Sequence, residues 1–458
     1  MTGRLRRWRD AARVYRDPRM LRILLLGFAS GLPYLITGST LSLWLKEYGI
    51  SLGAIGLFSL VAVPYSFKFL WAPLIDRLPL PFLTRRFGRR RGWLLLIQAG
   101  LVAAILAMGR LDPAHQTAAI AAAAVVVAFL AASQDIVIDA YRVELLDRPQ
   151  QGAGAAVAVM GYRVGMLVSG AGALAVAQFL GWWAAFVMMA AAVGLGMLTT
   201  LVSPEPTAPS SAATREREER GRAYLTRWPG LPAWTRQPLA WLYGAVVCPF
   251  ADFTARKAWL AILLFVMLYR FDFSLVGVMA NPFYIAMGYS KLEIAAVSKI
   301  FGLIATLSGS VVGGMLVAGL GMKRALLIAG ILQGLSNLMF AALAVVGHSV
   351  PMLTLTIAVE NLAGGMAGTV LVAYVSSLCN TAYTGTQYAL LMSCASFART
   401  VLSSPAGFLA ERLGWVGFFI VATVAALPAL LILVWLWRRS ALVAAVEHAP
   451  AANGVGRG

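Results

Sequence analysis

Two carboxylates stand where hydrocarbon is expected. Within an apolar run that begins near Thr117, the segment Ser133-Gln134-Asp135-Ile136-Val137-Ile138-Asp139-Ala140-Tyr141-Arg142 carries Asp135, Asp139 and Arg142 at i, i+4 and i+7. Helical pitch puts these three on one stripe, with Val137 and Tyr141 turned away. A charge at the bilayer centre costs at least about 2.5–3.5 kcal/mol on insertion scales, so the stripe must face a polar cavity or a partner. Two carboxylates one turn apart in a desolvated site are suited to exchanging protons, since burial and a like neighbour both disfavour the charged form. A nearby Arg142 or Arg163 pulls the other way, and the sequence leaves open which carboxylate titrates.

Further charges interrupt other apolar runs: Lys68, Arg163, Arg270, Asp272, Lys299, Glu360 and Arg399. An ion pair accounts for any one of them. The whole set implies a wet cavity, and a wet cavity between two helical bundles is a transport path. Glu360, in the second-half counterpart of the Asp135 run, is a third proton-coupling candidate. Arg163, Arg270, Lys299 and Arg399 suit carboxylates, which Arg binds bidentately. Tyr34, Tyr162, Trp44 and Gln134 offer flat faces and hydrogen-bonding groups for a sugar, although such aromatics also serve packing. With Lys68, Asp272 and Asn361 these complete the expected cavity lining. The sequence has no metal-spaced His pair, no Gly-x-Ser-x-Gly and no Walker-type phosphate loop, so neither enzyme chemistry, nor a metal, nor a cofactor, nor direct ATP drive is expected.

The elements that must hold these residues follow from composition. Of 458 residues 60% are apolar and only 12% charged, with mean hydropathy +0.77, far from soluble norms. Twelve runs are long enough to cross ~30 Å of hydrocarbon as helices: 20–45, 54–76, 92–111, 117–142, 152–177, 183–202, 258–284, 291–320, 325–346, 350–378, 386–410 and 413–437. The net charge of +19 could suggest nucleic acid, but its placement argues for topology. Arg residues crowd the N-terminal tail (Arg4 to Arg22) and the second connection (Arg77, Arg85, Arg86, Arg89, Arg90, Arg91), whereas alternate connections hold only Lys46, Arg110, Lys291 and Arg412. That asymmetry places both termini in the cytoplasm. The first run is too long for a signal-peptide core, so it is read as retained. Cys248, Cys379 and Cys394 read as structural thiols.

The expected organisation is a basic tail (1–19), a six-helix bundle (20–202), a cytoplasmic linker (203–257), a second six-helix bundle (258–437) and a tail (438–458). Within the linker, 239–253 interleaves Trp, Leu, Tyr, Val and Phe, as a surface amphipathic helix would, or simply a tether. Gly49-Ile50-Ser51 and Gly288-Tyr289-Ser290, like Gly88-Arg89-Arg90-Arg91 and Gly321-Met322-Lys323-Arg324, recur about half a chain apart, the mark of duplicated transporter bundles. Small-xxx-small pairs at Gly27/Gly31, Gly161/Gly165, Gly309/Gly313 and Gly364/Gly368 allow close helix approach; those of spans 5 and 8 are expected at the joint between the halves.

Six plus six spans resemble the major facilitator superfamily. Asp76-Arg77 followed by Gly88-Arg89-Arg90-Arg91 is similar to its signature between spans 2 and 3, which implies a cytoplasmic latch of Asp76 and Arg89 with Arg142 nearby; extra residues, Leu78 to Phe87, separate the Asp from the Gly-Arg run. More narrowly, Gly27-Phe28-Ala29-Ser30-Gly31-Leu32-Pro33, Phe67 to Arg77, Ala132 to Ala140, Gly152 to Arg163 and Glu360-Asn361-Leu362-Ala363-Gly364-Gly365-Met366 resemble the AmpG muropeptide permeases. The resemblance implies a bacterial inner-membrane, proton-coupled importer of N-acetylglucosaminyl-1,6-anhydro-N-acetylmuramyl peptides for peptidoglycan recycling, monomeric, with an indirect link to β-lactamase induction. Some members carry two further C-terminal helices; this chain ends in a tail, Ser440 to Gly458, and transport is expected without them. The rivals are another anionic cargo (acyl-CoA-like or a sugar conjugate) on the same scaffold, a non-transporting membrane sensor, or a lipid-modifying enzyme.

Overall fold

The computed structural model describes residues 13–51, 57–206, 219, 223, 239, 241–294, 297, 301–403 and 405–438. All of its regular structure is helical. The helices are apolar around most of their circumference, as a lipid environment requires, and Leu198, Val202, Ile304 and Leu431 stand on the outer surface without a protein neighbour to cover them.

Glycine and proline punctuate the rods. The first span is α1 (Pro18–Ile36), with Pro33 inside it, followed after a turn by α2 (Ser39–Glu47). The second is broken into 3₁₀ turns, α3 (Val63–Phe67) and α4 (Ala72–Arg77). After α5 (Leu83–Phe87) come α6 (Arg89–Gly109), α7 (Thr117–Leu145), α8 (Gln151–Leu167) and α9 (Ala173–Val202). Gly181, at φ +83°, divides α9 so that spans 5 and 6 are separate rods. The linker contributes α10 (Cys248–Thr254).

The second half runs α11 (Trp259–Leu268), α12 (Phe271–Ala286), α13 (Lys291–Ile294), α14 (Gly302–Leu320), α15 (Met322–Val346), α16 (Val350–Leu378), α17 (Thr384–Leu402), α18 (Ala406–Val424) and α19 (Leu427–Arg438). Gly414, at φ +66°, splits α18 between spans 11 and 12. Among the described residues nine helical stretches are long and apolar enough to cross a membrane. Dividing one of them at Gly181, and adding the interrupted second span and α17, gives the twelve expected.

Each half has its own apolar core. Trp44 against Phe186, at 4.8 Å between rings, anchors the first; Phe340 stacked on Phe419 at 5.0 Å anchors part of the second. The glycine pairs act within halves. A Cβ on Gly31 would fall on the Tyr162 carbonyl and one on Gly161 on the Leu24 carbonyl, so these glycines press α1 onto α8; Gly309 likewise presses α14 onto Leu362 of α16. The expectation that Gly161/Gly165 and Gly309/Gly313 form the joint between halves is therefore corrected. There the close approach is made by Gly152 of α8 and Gly314 of α14, where a Cβ on Gly314 would lie 2.9 Å from the Gly152 carbonyl oxygen.

Candidate functional site

A cavity of about 370 Å³ lies between the halves, lined by Ser30, Tyr34, Tyr65, Lys68, Asp135, Asp139, Tyr162 and Arg163 from the first half and by Arg270, Thr306, Tyr388 and Arg399 from the second. The break in the second span is what brings Lys68 here: it opens the 3₁₀ turn Lys68–Leu70 between α3 and α4, and the Trp71 indole next to it donates to Ser133 Oγ at 3.0 Å. Lys68 Nζ then stands 3.9 Å from Asp135 Oδ2, while Ser30 Oγ donates to Asp135 Oδ1 at 2.5 Å. Asp139 has a different partner, Arg142 Nη2 at 3.4 Å. The two carboxylates of the stripe are thus held separately. Sequence spacing offered Arg142 or Arg163 as partners; Lys68 comes from another span.

Tyr34, Tyr65 and Tyr162 form an aromatic corner, with centroids of Tyr34 at 6.1 Å from Tyr65 and 6.2 Å from Tyr162. Tyr65 was missed by sequence reasoning, although Lys68 one turn on could have pointed to it. In the second half, Arg270 occupies the break between α11 and α12, its guanidinium 4.4 Å from the Phe273 ring. It passes Gly368 so closely that a Cβ there would lie 3.0 Å from Nη1.

Other expected lining residues lie behind the wall. Gln134 is fully buried and donates to the Ala29 carbonyl at 3.0 Å, tying α7 to α1. Trp44 belongs to the first-half core. Asp272 is buried between α12 and α15, accepting from Asn337 Nδ2 at 3.1 Å. Asn361 donates to Glu360 at 2.8 Å and accepts from Thr306 Oγ1 at 2.9 Å, which links Glu360 to the cavity lining. Lys299 lies outside the described residues.

At one end of the molecule the halves are bolted together. Asp76, 1% exposed, accepts Arg90 Nη1 at 2.8 Å from its own half, and from the other half the Thr386 amide at 2.6 Å, the Thr386 hydroxyl at 2.7 Å and the Gly385 amide at 3.2 Å. These donors are the first turn of α17, where unpaired amides and the helix dipole both favour a carboxylate. Arg90 also holds Glu144 on α7, Nη2 to Oε1 at 2.5 Å and Nε to Oε2 at 3.0 Å. The cation that meets Asp76 is therefore Arg90, not Arg89, because α5 folds the extra residues back and Glu205 accepts the Arg90 and Arg91 amides at 2.7 and 3.1 Å. Arg142 lies under the Tyr388 ring of α17 at 5.6 Å.

The linker segment joins this bolt. The turn Tyr243–Val247 packs on α4, and Asp252 of α10 accepts Gln387 Nε2 of α17 at 2.8 Å and Arg256 at 3.3 Å. Its Ala245, Cys248 and Phe253 are buried against protein, leaving Trp241, Leu242 and Val247 exposed.

The profile of the Major Facilitator Superfamily matches residues 23–305 and 262–454. The chain is 41% identical, over 92% of its length and 80% of the relative's, to the anhydromuropeptide permease of Escherichia coli K12, and 37% identical, over 93% and 98%, to putative transporter AmpG 4 of Rickettsia felis. It belongs to the AmpG-type permeases of the major facilitator superfamily. As such a permease it is a multi-pass inner-membrane transporter and not an enzyme. Its fold is shared with solved structures of the proton:xylose symporter XylE (TM-score 0.64, 15% identity, 92% of this chain and 94% of the other) and of the human organic anion transporter MFSD10 (TM-score 0.59, 16% identity, 93% and 99%).

Proposed function

We propose that this AmpG-type permease imports N-acetylglucosaminyl-1,6-anhydro-N-acetylmuramyl peptides from periplasm to cytosol, driven by protons, as a monomer with both termini cytoplasmic. The observation that carries the reading is the make-up of the central cavity: a carboxylate–lysine pair, an aromatic corner and three arginines line it together. Cargo of this class is part sugar and part acidic peptide, and the E. coli relative is an anhydromuropeptide permease.

Asp135 is the coupling carboxylate in this reading. Ionised, it holds Lys68 and Ser30; protonated, it loses its charge attraction for Lys68, which then turns to the anionic cargo. Each proton thereby exchanges one ion pair for another across the path. Asp139 with Arg142 lies toward the bolted end and acts at the gate, and Glu360 acts through Asn361 and Thr306. The bolt of Asp76, Arg90 and α17 is the cytoplasmic gate, shut here, so the state is outward-facing.

The test is uptake of labelled anhydromuropeptide into energised cells or vesicles, with and without a protonophore. Protonophore-sensitive accumulation, lost in Asp135→Asn, is expected. No uptake by well-inserted protein refutes the importer, and undiminished uphill uptake in the double variant Asp135→Asn/Asp139→Asn removes both carboxylates from coupling.

A further inference from the structure

Beside the central cavity lies a second lobe of about 610 Å³, walled by Val266, Met267, Val278, Leu371 and Met392. The two lobes share Arg163, Arg270 and Arg399, which come from α8, the break before α12, and α17. Among the described residues none of them has a carboxylate within ion-pair distance, and Arg270 Nε is buried without an acceptor. Glu360 attracts Arg270 and Arg163 from behind the wall without touching them. Three like charges gathered from three elements around a cavity, none of them in a direct ion pair, suit an anion with several acceptors. The aromatic corner, in contrast, lines the central cavity with the Asp135–Lys68 pair, and none of its three tyrosines lines the side lobe.

We infer that the two lobes divide the cargo: the tyrosine corner takes the sugar rings, and the side lobe takes the stem peptide, with its carboxylates on Arg163, Arg270 and Arg399 and its methyl side chains on the apolar wall. The inference rests on the anhydromuropeptide reading. A stem peptide is short and acidic with small side chains, which fits a cationic rim over an aliphatic pocket. A sugar ring carries no charge and binds by stacking and hydroxyl hydrogen bonds, which fits tyrosines.

The test measures affinities of purified, membrane-reconstituted protein for two probes, an anhydromuropeptide carrying a tripeptide and the same anhydro-disaccharide without peptide. Competition by the free tripeptide serves as a third reading. Arg270→Gln and Arg399→Gln are expected to weaken the peptide-bearing probe at least about tenfold more than the peptide-free one, the scale of one lost charged hydrogen bond, and to abolish competition by free tripeptide. Arg399→Lys, which keeps the charge, is expected to recover most of the loss. Tyr34→Ala is expected to weaken both sugar-bearing probes and leave tripeptide competition in place. Equal weakening of both probes by the arginine variants, or none, overturns the division. Failure of the wild-type protein to bind the peptide-bearing probe at all refutes the cargo reading itself, a result separable from failure of the division alone.

Discussion

Asp135 and Asp139 occupy one stripe of α7 yet have different partners: Lys68 and Ser30 for one, Arg142 for the other. Moving one proton through about 100 mV stores ~2.3 kcal/mol, enough for an accumulation ratio of ~50. Asp135→Asn is expected to collapse such accumulation to unity while cargo exchange down its own gradient continues, measured by uptake against counterflow in the same vesicles. Lys68→Gln should impair both, since it faces the cavity whichever state Asp135 holds. The stripe was legible in the sequence from helical period alone. Its partner was not: Lys68 is 67 positions away and reaches Asp135 only because 3₁₀ turns interrupt the second span.

Among elements, the decisive contact is the first turn of α17 on Asp76. Arg90 lies between Asp76 and Glu144, with all three side chains 1% exposed, and removing one member of a buried set leaves uncompensated charge worth about 3–5 kcal/mol. Arg90→Ala is therefore expected to lower the thermal unfolding midpoint markedly. Asp76→Asn keeps the volume but loses the acceptor strength, so it is expected to loosen the gate more than the fold. Cys379, beside this contact, reports on it: it is 3% exposed, and burial pushes its thiol up to about 12, so it stays protonated and slow to alkylate while the contact holds. With Cys248 and Cys394 replaced by Ser, maleimide labelling of Cys379 should be slow in the parent and faster in Asp76→Asn; equal rates would show that Asp76 does not hold this end closed. Asp252→Ala, which removes one of the two hydrogen bonds from Gln387 Nε2 to the linker helix, is expected to speed labelling less, because the Asp76 contacts remain.

Over the whole molecule, the halves meet along α8 and α14 as well as at the bolt. Tyr15, ahead of α1, adds a tie by donating to the Val311 carbonyl at 3.2 Å. At Gly152 a Cβ would lie 2.8 Å from Val317 Cβ, with the Gly314 carbonyl at 3.0 Å, so Gly152→Val is expected to wedge this end apart. Transport should fall and Cys379 labelling should rise, without the loss of thermal stability expected of Arg90→Ala. By itself the sequence determined the class of the protein: apolar length, punctuated by Gly and Pro, dictates twelve crossings, since backbone polar groups in lipid must be satisfied within each helix. It also marked which spans carry charge, because charge in hydrocarbon stands out against composition. Which charges meet was settled only by tertiary structure. Asp76 finds Arg90 rather than Arg89 because α5 resets the register, Asp272 and Gln134 face packing rather than the cavity because of how α12 and α7 are rotated, and the halves approach closely at Gly152 and Gly314 because α8 and α14 pass there with no Cβ between them. Period fixes the face of a helix, but the neighbour that face meets is decided by how the rods pack.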